Sequence, residues 1–468
     1  MRGGDTVDKY KRLVSNTMIF AIGTFSSKLL TFFLTRLYTA VLEQAEYGIT
    51  DLIQQSGNLL LPLVTLGITN AVVRFGLDKG VRKSDVFTTG LLSLLGGFVL
   101  LLLCSPLLGL IELLSGRVWL LCLFVLMSSL RSLCAQFVRA SNRIKLFAID
   151  GILSTVTTIL FNVLFLVVLD GGVFGYIFSI VCADALSVIF LFVVARLDRF
   201  VAFRGLDFSV SRSMLKYAIP MIPNTILWWI TNVSDRYIVT AVWGEEYNGL
   251  YAAAYKIPSL IMLASGIFMD AWQISAVTEE KERDKFYTRV MSMYSVFLFA
   301  MASVIVLFTR VIPHVLFDPA YYEAWRYIPL LVISMVFTCM VNFLGSIYMV
   351  EKKSMRSLIT AAISAVINVL LNLWWIPLYG VNGAAAATLA CYLVVFAIRL
   401  VDTRRYIYIR WNWIRLIGCT ILLLLQTALL LWEVPLWWLW EVLLCVAVLA
   451  LSGKELLQSV KGMLRRKN

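Results

Sequence analysis

Long apolar blocks separated by short polar connections recur along the whole sequence. Each block has about 20 residues or more, the length that an α-helix needs to cross a hydrocarbon core of roughly 30 Å. About fourteen blocks meet this criterion. The predicted spans are 13–40, 50–75, 86–111, 118–138, 147–169, 173–195, 214–241, 250–276, 287–309, 327–350, 357–378, 382–400, 413–432 and 436–453. The pattern predicts an all-α polytopic membrane protein.

The connections between the blocks are short, and no inserted soluble domain is predicted. The longest predicted outer connection, 310–326, has 17 residues. The first block is too long for a cleaved signal peptide and is followed by no small-residue cleavage site, so a permanent helix is predicted.

The composition agrees with this interpretation. The chain is 60% hydrophobic and its mean hydropathy is +0.85, more apolar than the polar surface of a soluble domain allows. The eight cysteines lie within apolar blocks and form no CxxC pair. They are therefore predicted to be core residues without a disulfide or metal framework, and no cofactor is predicted.

The distribution of basic residues predicts the topology. With the N-terminus placed inside, the inner segments hold 32 of the 41 Lys and Arg residues, and the outer loops hold three. This positive-inside bias places both termini in the cytoplasm and the chain in the cell membrane. The positive-inside bias therefore explains the net charge of +13, and nucleic acid is not a predicted partner.

The two halves of the chain resemble each other. Arg143 precedes Asn162 by 19 residues, and Lys353 precedes Asn372 by the same number. A glycine-rich turn follows each asparagine. We therefore predict two six-helix lobes in parallel pseudo-repeat, 1–196 and 214–405, joined by a cytoplasmic linker, 197–213. Two extra helices and a basic tail, 406–468, follow. Transporters with parallel repeats bind substrate at the repeat interface.

Several short motifs carry a resemblance to a known family, and their order and spacing are more specific than any one of them. They are Ala45-Glu46-Tyr47-Gly48, Gly67-Ile68 with Arg74-Phe75, Ser234-Asp235-Arg236-Tyr237, Asn248-Gly249-Leu250-Tyr251, and Asn368 and Asn372 with Gly380 and Gly383-Ala384-Ala385. The chain resembles the lipid-linked oligosaccharide flippases of the polysaccharide and O-antigen type. These belong to the multidrug/oligosaccharidyl-lipid/polysaccharide exporter superfamily.

The resemblance implies a function and partners. It implies translocation of undecaprenyl-pyrophosphate-linked sugar units from the inner to the outer leaflet, without naming the sugar. The implied partners are this anionic lipid-linked glycan and the membrane lipids, with a polysaccharide polymerase and glycosyltransferases as further candidates.

Six cations lie in or at the ends of apolar blocks, where Lys or Arg costs about 2.5–3.5 kcal/mol on insertion scales. As candidate substrate-binding residues we take Lys28, Arg36, Arg74, Arg131, Arg236 and Lys256. At about 100° per residue, the first two share one broad helix face. Structural alternatives stay open: Arg36 snorkels to the headgroups, and Arg74 anchors the second span at phosphate level.

The acids within the blocks must pair or be protonated, which makes them candidates for ion coupling or for ion pairs. They are Asp184, Asp270 and Asp235, together with Asp150. For Asp184 we favour pairing with Arg131 or Lys28. Asp235 is predicted to neutralise Arg236 or to pair with Lys256, which could instead face a central cavity.

Two rival functions remain. A cation or drug antiporter of the same superfamily needs acids with few cations, and Lys28 and Arg36 disfavour it. A membrane polymerase or glycosyltransferase typically needs a long outer loop with catalytic side chains. The sequence has no P-loop, HExxH or GxSxG motif, so no enzymatic activity is predicted.

Overall fold

A computed structural model describes residues 32–78, 80–111, 114–278 and 282–464, without the side chains of 270–271, 273–275, 277–278 and 454–464. The described residues form helices and their connections, with no strand among them. The chain divides into two compact units, Met1–Ile226 and Leu227–Asn468. The fold is all-α, as predicted.

The first unit contains eight helices within its described residues. They are α1 (Phe32–Val41), α2 (Gln44–Val64), α3 (Ile68–Gly76), α4 (Lys83–Leu108), α5 (Val118–Ala140), α6 (Ile144–Asn162, continued by a π-helical turn, Val163–Val168), α7 (Gly172–Ala195) and α8 (Phe208–Ala218). Helix α9 (Ile222–Trp243) begins in this unit and continues into the second.

The second unit contains the remaining helices of the described chain. They are α10 (Glu245–Lys256), α11 (Ser259–Thr278), α12 (Arg283–Leu307), α13 (Val311–Leu316), α14 (Ile328–Val350), α15 (Ser354–Thr403), α16 (Trp413–Leu431) and α17 (Trp437–Leu464). A 3₁₀ segment, Pro319–Tyr327, precedes α14.

Several helices carry a surface that only lipid can cover. Among the described residues, eight helices are long and apolar enough to cross a membrane, or ten if each of two bent helix pairs is one span. Helix α4 leaves Leu100, Leu103 and Leu107 exposed. A continuous leucine surface of this kind is not stable in water, so the chain is a multi-pass membrane protein.

Two predicted spans are bent instead of continuous. The span 50–75 is divided into α2 and α3 by a 55° bend, at which Leu66 and Gly67 have positive φ. Pro62 lies in the last turn of α2 and cannot donate a backbone hydrogen bond. The span 250–276 bends by 42° between α10 and α11, where Pro258 interrupts the helix.

A separate helix, α8, precedes α9 and begins before the predicted seventh span. Helix α8 starts at Phe208, inside the predicted linker. The side chain of Asp207 caps it by accepting a hydrogen bond from the backbone amide of Ser209. Earlier in this segment, the hydroxyl of Thr88 donates to the carbonyl of Phe200, which ties the segment to α4. Its cytoplasmic location and the lobe boundaries at 196 and 214 stay predictions.

Two predicted spans, 357–378 and 382–400, form α15 on either side of Gly380. This residue has φ +63° and ψ −148°, a conformation essentially restricted to glycine. Nearby, the indole of Trp243 donates to the carbonyl of Ile376, 3.0 Å away. The chain reverses at Gly380, since Cys391 and Arg399 in the second part of α15 donate hydrogen bonds to Ser364 and Thr360 in the first part.

The two asparagines that suggested the repeat occupy similar environments in their own units. Asn162 and Asn372 are both wholly buried. Asn162 Oδ1 accepts a hydrogen bond from Ser179, and Asn372 Nδ2 donates to Asn368 Oδ1. Each asparagine thus links polar side chains inside a helical core, although Asn372 Oδ1 itself has no partner among the described residues.

Candidate functional site

A polar cluster lies inside the first unit where α5, α6 and α7 meet. Helix α5 contributes Ser128 and Arg131, α6 contributes Asp150, and α7 contributes Asp184 and Ser187. On both α5 and α7 the two residues are three positions apart, so each pair shares a helix face. The five side chains form hydrogen bonds and ion pairs with one another.

The two carboxylates of this cluster surround Arg131. Arg131 Nη1 lies 3.1 Å from Asp184 Oδ1, and Nε lies 3.9 Å from Asp150 Oδ2. Ser128 donates to Asp184, and Ser187 donates to Asp150. The predicted pairing of Asp184 with Arg131 is therefore present in the structure.

The cluster has an excess of buried acid. Asp150 is 2% exposed and Asp184 is 4% exposed, whereas the Arg131 side chain is 31% exposed. One cation faces two carboxylic acids, so the site can accept a proton or a small cation without losing its ion pair. The same carboxylates compensate the charge of Arg131, and its contact with substrate stays a prediction.

The other predicted cations of the first unit lie outside this cluster. Arg36 is exposed on α1, and Arg74 is exposed at the last turn of α3. The Arg74 guanidinium lies 4.4 Å from the ring centroid of Tyr217 on α8. Lys28 lies outside the described residues.

In the second unit, Asp235 lies in a network of neutral donors. Its carboxylate accepts from Tyr251 Oη at 2.7 Å and from Thr388 Oγ1 at 3.4 Å. The backbone amide of Arg236 also donates to it, at 3.0 Å. The network joins α9, α10 and the second part of α15.

Two predicted cations lie beside this network. Arg236 is buried, with its guanidinium 4.7 Å from the ring centroid of Tyr255. Lys256 is half-buried and ends α10 at the bend before α11. Its predicted pairing with Asp235 stays a prediction, and the side chain of Asp270 lies outside the described part of the structure.

Two arginines counted among the basic residues of the inner segments, Arg399 and Arg415, are buried in the second unit. Arg399, on α15, donates to Thr360 Oγ1 at 2.9 Å and to the carbonyl of Val341 at 2.8 Å. Arg415, on α16, donates to Ser295 Oγ at 3.1 Å. Both lie inside predicted spans, 382–400 and 413–432, and their location on the cytoplasmic side stays a prediction. The sequence did indicate burial of Arg399, because the apolar pattern continues past it through Leu400 and Val401.

A buried acid in the last predicted span was also missed. Glu441, on α17, is wholly buried and accepts from Gln426 Nε2 at 2.9 Å. Gln426 Oε1 in turn accepts from Ser303 Oγ at 2.8 Å. This chain of polar groups links α12, α16 and α17, and only packing reveals it.

Comparison with known proteins gives the family. The family model described as polysaccharide biosynthesis protein matches residues 13–273, which is more than half of the chain. No curated protein sequence matches.

Solved structures share the fold at low sequence identity. The lipid II flippase MurJ, in its inward closed conformation, has a TM-score of 0.70 and 14% identity, covering 95% of this chain and 99% of that chain. An inward-facing multidrug resistance MATE family transporter of the MOP superfamily has a TM-score of 0.64 and 13% identity, covering 83% and 94%. A mutant of the Vibrio cholerae MATE transporter VcmN has a TM-score of 0.56 and 13% identity, covering 88% and 98%. The chain belongs to the polysaccharide biosynthesis protein family and has the fold of MurJ and the MATE transporters.

Proposed function

We propose that the protein is a flippase that moves undecaprenyl-pyrophosphate-linked oligosaccharide units from the inner to the outer leaflet of the cell membrane. One observation carries this proposal. A member of a polysaccharide biosynthesis family here consists, throughout its described residues, of apolar helices and short connections. Its contribution to polysaccharide synthesis is then a step within the bilayer, and transport of the lipid-linked unit is such a step.

The proposed substrate explains why cations are retained at membrane depth. A pyrophosphate entering a low-dielectric cavity needs positive charge or hydrogen-bond donors to replace its water. We assign this role to Lys28, Arg36, Arg74, Arg131, Arg236 and Lys256. Asp184, Asp235 and Asp270 are proposed to couple transport to a proton or cation gradient or to hold these cations in ion pairs. Both termini are proposed to lie in the cytoplasm.

A cation or drug antiporter is the second candidate function, because MATE transporters share the fold. The cluster around Asp150 and Asp184 is the feature that favours it, since two buried acids can exchange a proton for a cation. Lys28 and Arg36 oppose it, because cations in the first span repel a cationic substrate.

Reconstitution decides between these functions. Proteoliposomes carrying the protein and a labelled undecaprenyl-pyrophosphate sugar should make the sugar accessible at the far leaflet, and empty liposomes should not. A cationic dye with an imposed proton gradient is the parallel assay. Dye transport without movement of the lipid-linked sugar would overturn the proposal in favour of the antiporter.

The two-repeat organisation predicts alternating access by rocking of two lobes around one basic cavity. A crosslink joining the outer ends of α1 and α9 should block transport, and its reduction should restore activity. The exposed Cys104 should first be replaced by serine so that the engineered pair alone reacts. Full activity with the crosslink closed would exclude rocking at the outer gate.

A further inference from the structure

The bend between α2 and α3 opens into a cavity of about 220 Å³ within the first unit. Polar groups from three helices line it, among them Thr65, Thr69, Ser129, Ser132 and Thr225. One water needs only about 15 Å³ of such space, so the cavity has room for a group of several non-hydrogen atoms.

The N-terminus of α3 lines this cavity without a side-chain cap. Its N-cap is Gly67, which has no side chain to accept the amides of the first turn. The backbone amide of Ile68 donates to the carbonyl of Thr65, and the amide of Asn70 donates to the carbonyl of Gly67. The amide of Thr69 is left without an acceptor in the described part of the chain. A helix start of this kind attracts an anion through its dipole and its free N–H groups.

An independent observation points to the same ligand chemistry. Ser129, on α5, lines the cavity and is wholly buried, yet its hydroxyl has no hydrogen-bond partner among the described residues. Buried hydroxyls are normally paired, so one that is left open marks a position for a missing acceptor. The hydroxyls of Thr65 and Thr225 already donate to the carbonyls of Leu61 and Met221.

The cavity also lies near one end of the membrane span, where lipid phosphates are found. Helix α2 has 21 residues, about 31 Å at 1.5 Å per residue, and crosses the hydrocarbon core almost by itself. The bend is therefore near the end of the span that leads to the basic connection after α3. Asn70 lines the cavity, and Arg74 follows four residues later on the same helix.

We infer that the α2–α3 bend is a binding site for a phosphoryl group of a lipid, held by the amide of Thr69 and the hydroxyl of Ser129. The identity of the lipid as the polyprenyl pyrophosphate rests on the proposed function. An ordinary phospholipid headgroup supplies the same chemistry, and the experiment separates the two.

The test measures lipid binding to the full-length protein in nanodiscs. The probes are undecaprenyl pyrophosphate, undecaprenol, which lacks the phosphates, and phosphatidylglycerol. Thr69→Asp places a tethered carboxylate at the helix start, and Thr69→Asn is its neutral control. Ser129→Ala removes the open hydroxyl, and Ser105→Ala on α4 is a control outside the cavity.

We expect Thr69→Asp and Ser129→Ala to weaken binding of undecaprenyl pyrophosphate about tenfold, a change of about 1.4 kcal/mol. Undecaprenol binding and the melting temperature should not fall. A folding role for either group would lower the melting temperature instead, because a structural hydrogen bond would be lost. If the variants weaken binding of phosphatidylglycerol equally, the site is supported, and its ligand is a phospholipid headgroup.

Two results would overturn the inference: unchanged affinity in both variants, or an equal loss for undecaprenol. Transport by the wild-type protein separates this inference from the proposed function. If the wild type transports the sugar and the variants bind normally, only the inference fails. If the variants lose phosphoryl binding but the wild type moves no sugar, only the flippase proposal fails.

Discussion

Arg131 on α5 and Asp184 on α7 form an ion pair of 3.1 Å inside the first unit. Ser187, one turn after Asp184, extends this pair to Asp150 on α6. Three helices that are predicted to cross the membrane are therefore joined by charge as well as by apolar packing. Substitution of these residues therefore tests how much the ion pair contributes to the packing of the three helices.

Replacement of Arg131 by glutamine should destabilise the protein by about 2 kcal/mol or more, because two buried carboxylates lose their cation. Replacing Asp184 by asparagine in the same chain should recover part of the loss, with a coupling energy of about 1–3 kcal/mol. Thermal unfolding in detergent measures Arg131→Gln, Asp184→Asn and the double variant. Lys285→Gln, which breaks an exposed pair with Glu282, is the control and should change little. Additive effects of the two substitutions would contradict the pairing.

Replacement of Lys28 by alanine should abolish most export of the lipid-linked sugar, while the protein still inserts and folds. Lys28→Arg should retain part of the activity, since a charge near pyrophosphate matters more than the geometry of its donors. The measurement is transport in proteoliposomes at matched protein abundance. Normal transport by Lys28→Ala would exclude this residue from the cavity.

Gly345 should resist substitution because of Arg399. A Cβ at Gly345 would lie 2.5 Å from Arg399 Nη1, and the guanidinium is held by Thr360 and Val341. We expect Gly345→Ala to lower stability by about 1–3 kcal/mol through overpacking.

The controls for Gly345 use the same substitution in open space and a shorter partner. Gly266→Ala on α11 meets no atom within 4 Å and should be neutral or stabilising. In an Arg399→Lys background the cost of Gly345→Ala should shrink. An unchanged cost in that background would show that the contact with Arg399 is not its cause.

Glu441 should tolerate a neutral replacement better than the loss of its donor. One of its oxygens accepts from Gln426, and the other has no partner among the described residues. Glu441→Gln keeps an acceptor without a charge, so the melting temperature should hold or rise. Gln426→Leu leaves the acid without its donor and should cost about 1–3 kcal/mol. A higher melting temperature for Gln426→Leu than for Glu441→Gln would show that the hydrogen bond from Gln426 does not stabilise Glu441.

Much of the fold follows from periodicity and block length, as α4 and α7 show. Their predicted spans, 86–111 and 173–195, correspond to Lys83–Leu108 and Gly172–Ala195. Boundaries set by capping were less predictable. The start of α8 depends on one hydrogen bond from Ser209 to Asp207, which an apolar pattern does not register.

Some residues of the candidate site could likewise be predicted from the sequence, and others could not. The sequence pointed to Arg131 and Asp184, because a charge inside an apolar block is conspicuous. It counted Arg399 and Arg415 among the charges of the inner segments, because a cation at the end of a block has the same pattern whether it faces water or is buried. The structure buries both among hydroxyls and carbonyls, and Arg399 also lies beside the rings of Trp228 and Tyr348.

The sequence by itself determined the membrane class, the helical architecture and the set of candidate charges, since block length and the cost of burying a charge are local properties of the chain. Only the tertiary structure decided which partners these charges have and where a helix breaks to form a cavity. Ser129 shows why: its hydroxyl is unremarkable on α5, and it becomes informative only where α3 begins beside it without a cap. Contacts of this kind join residues about sixty positions apart, and neither periodicity nor composition encodes them.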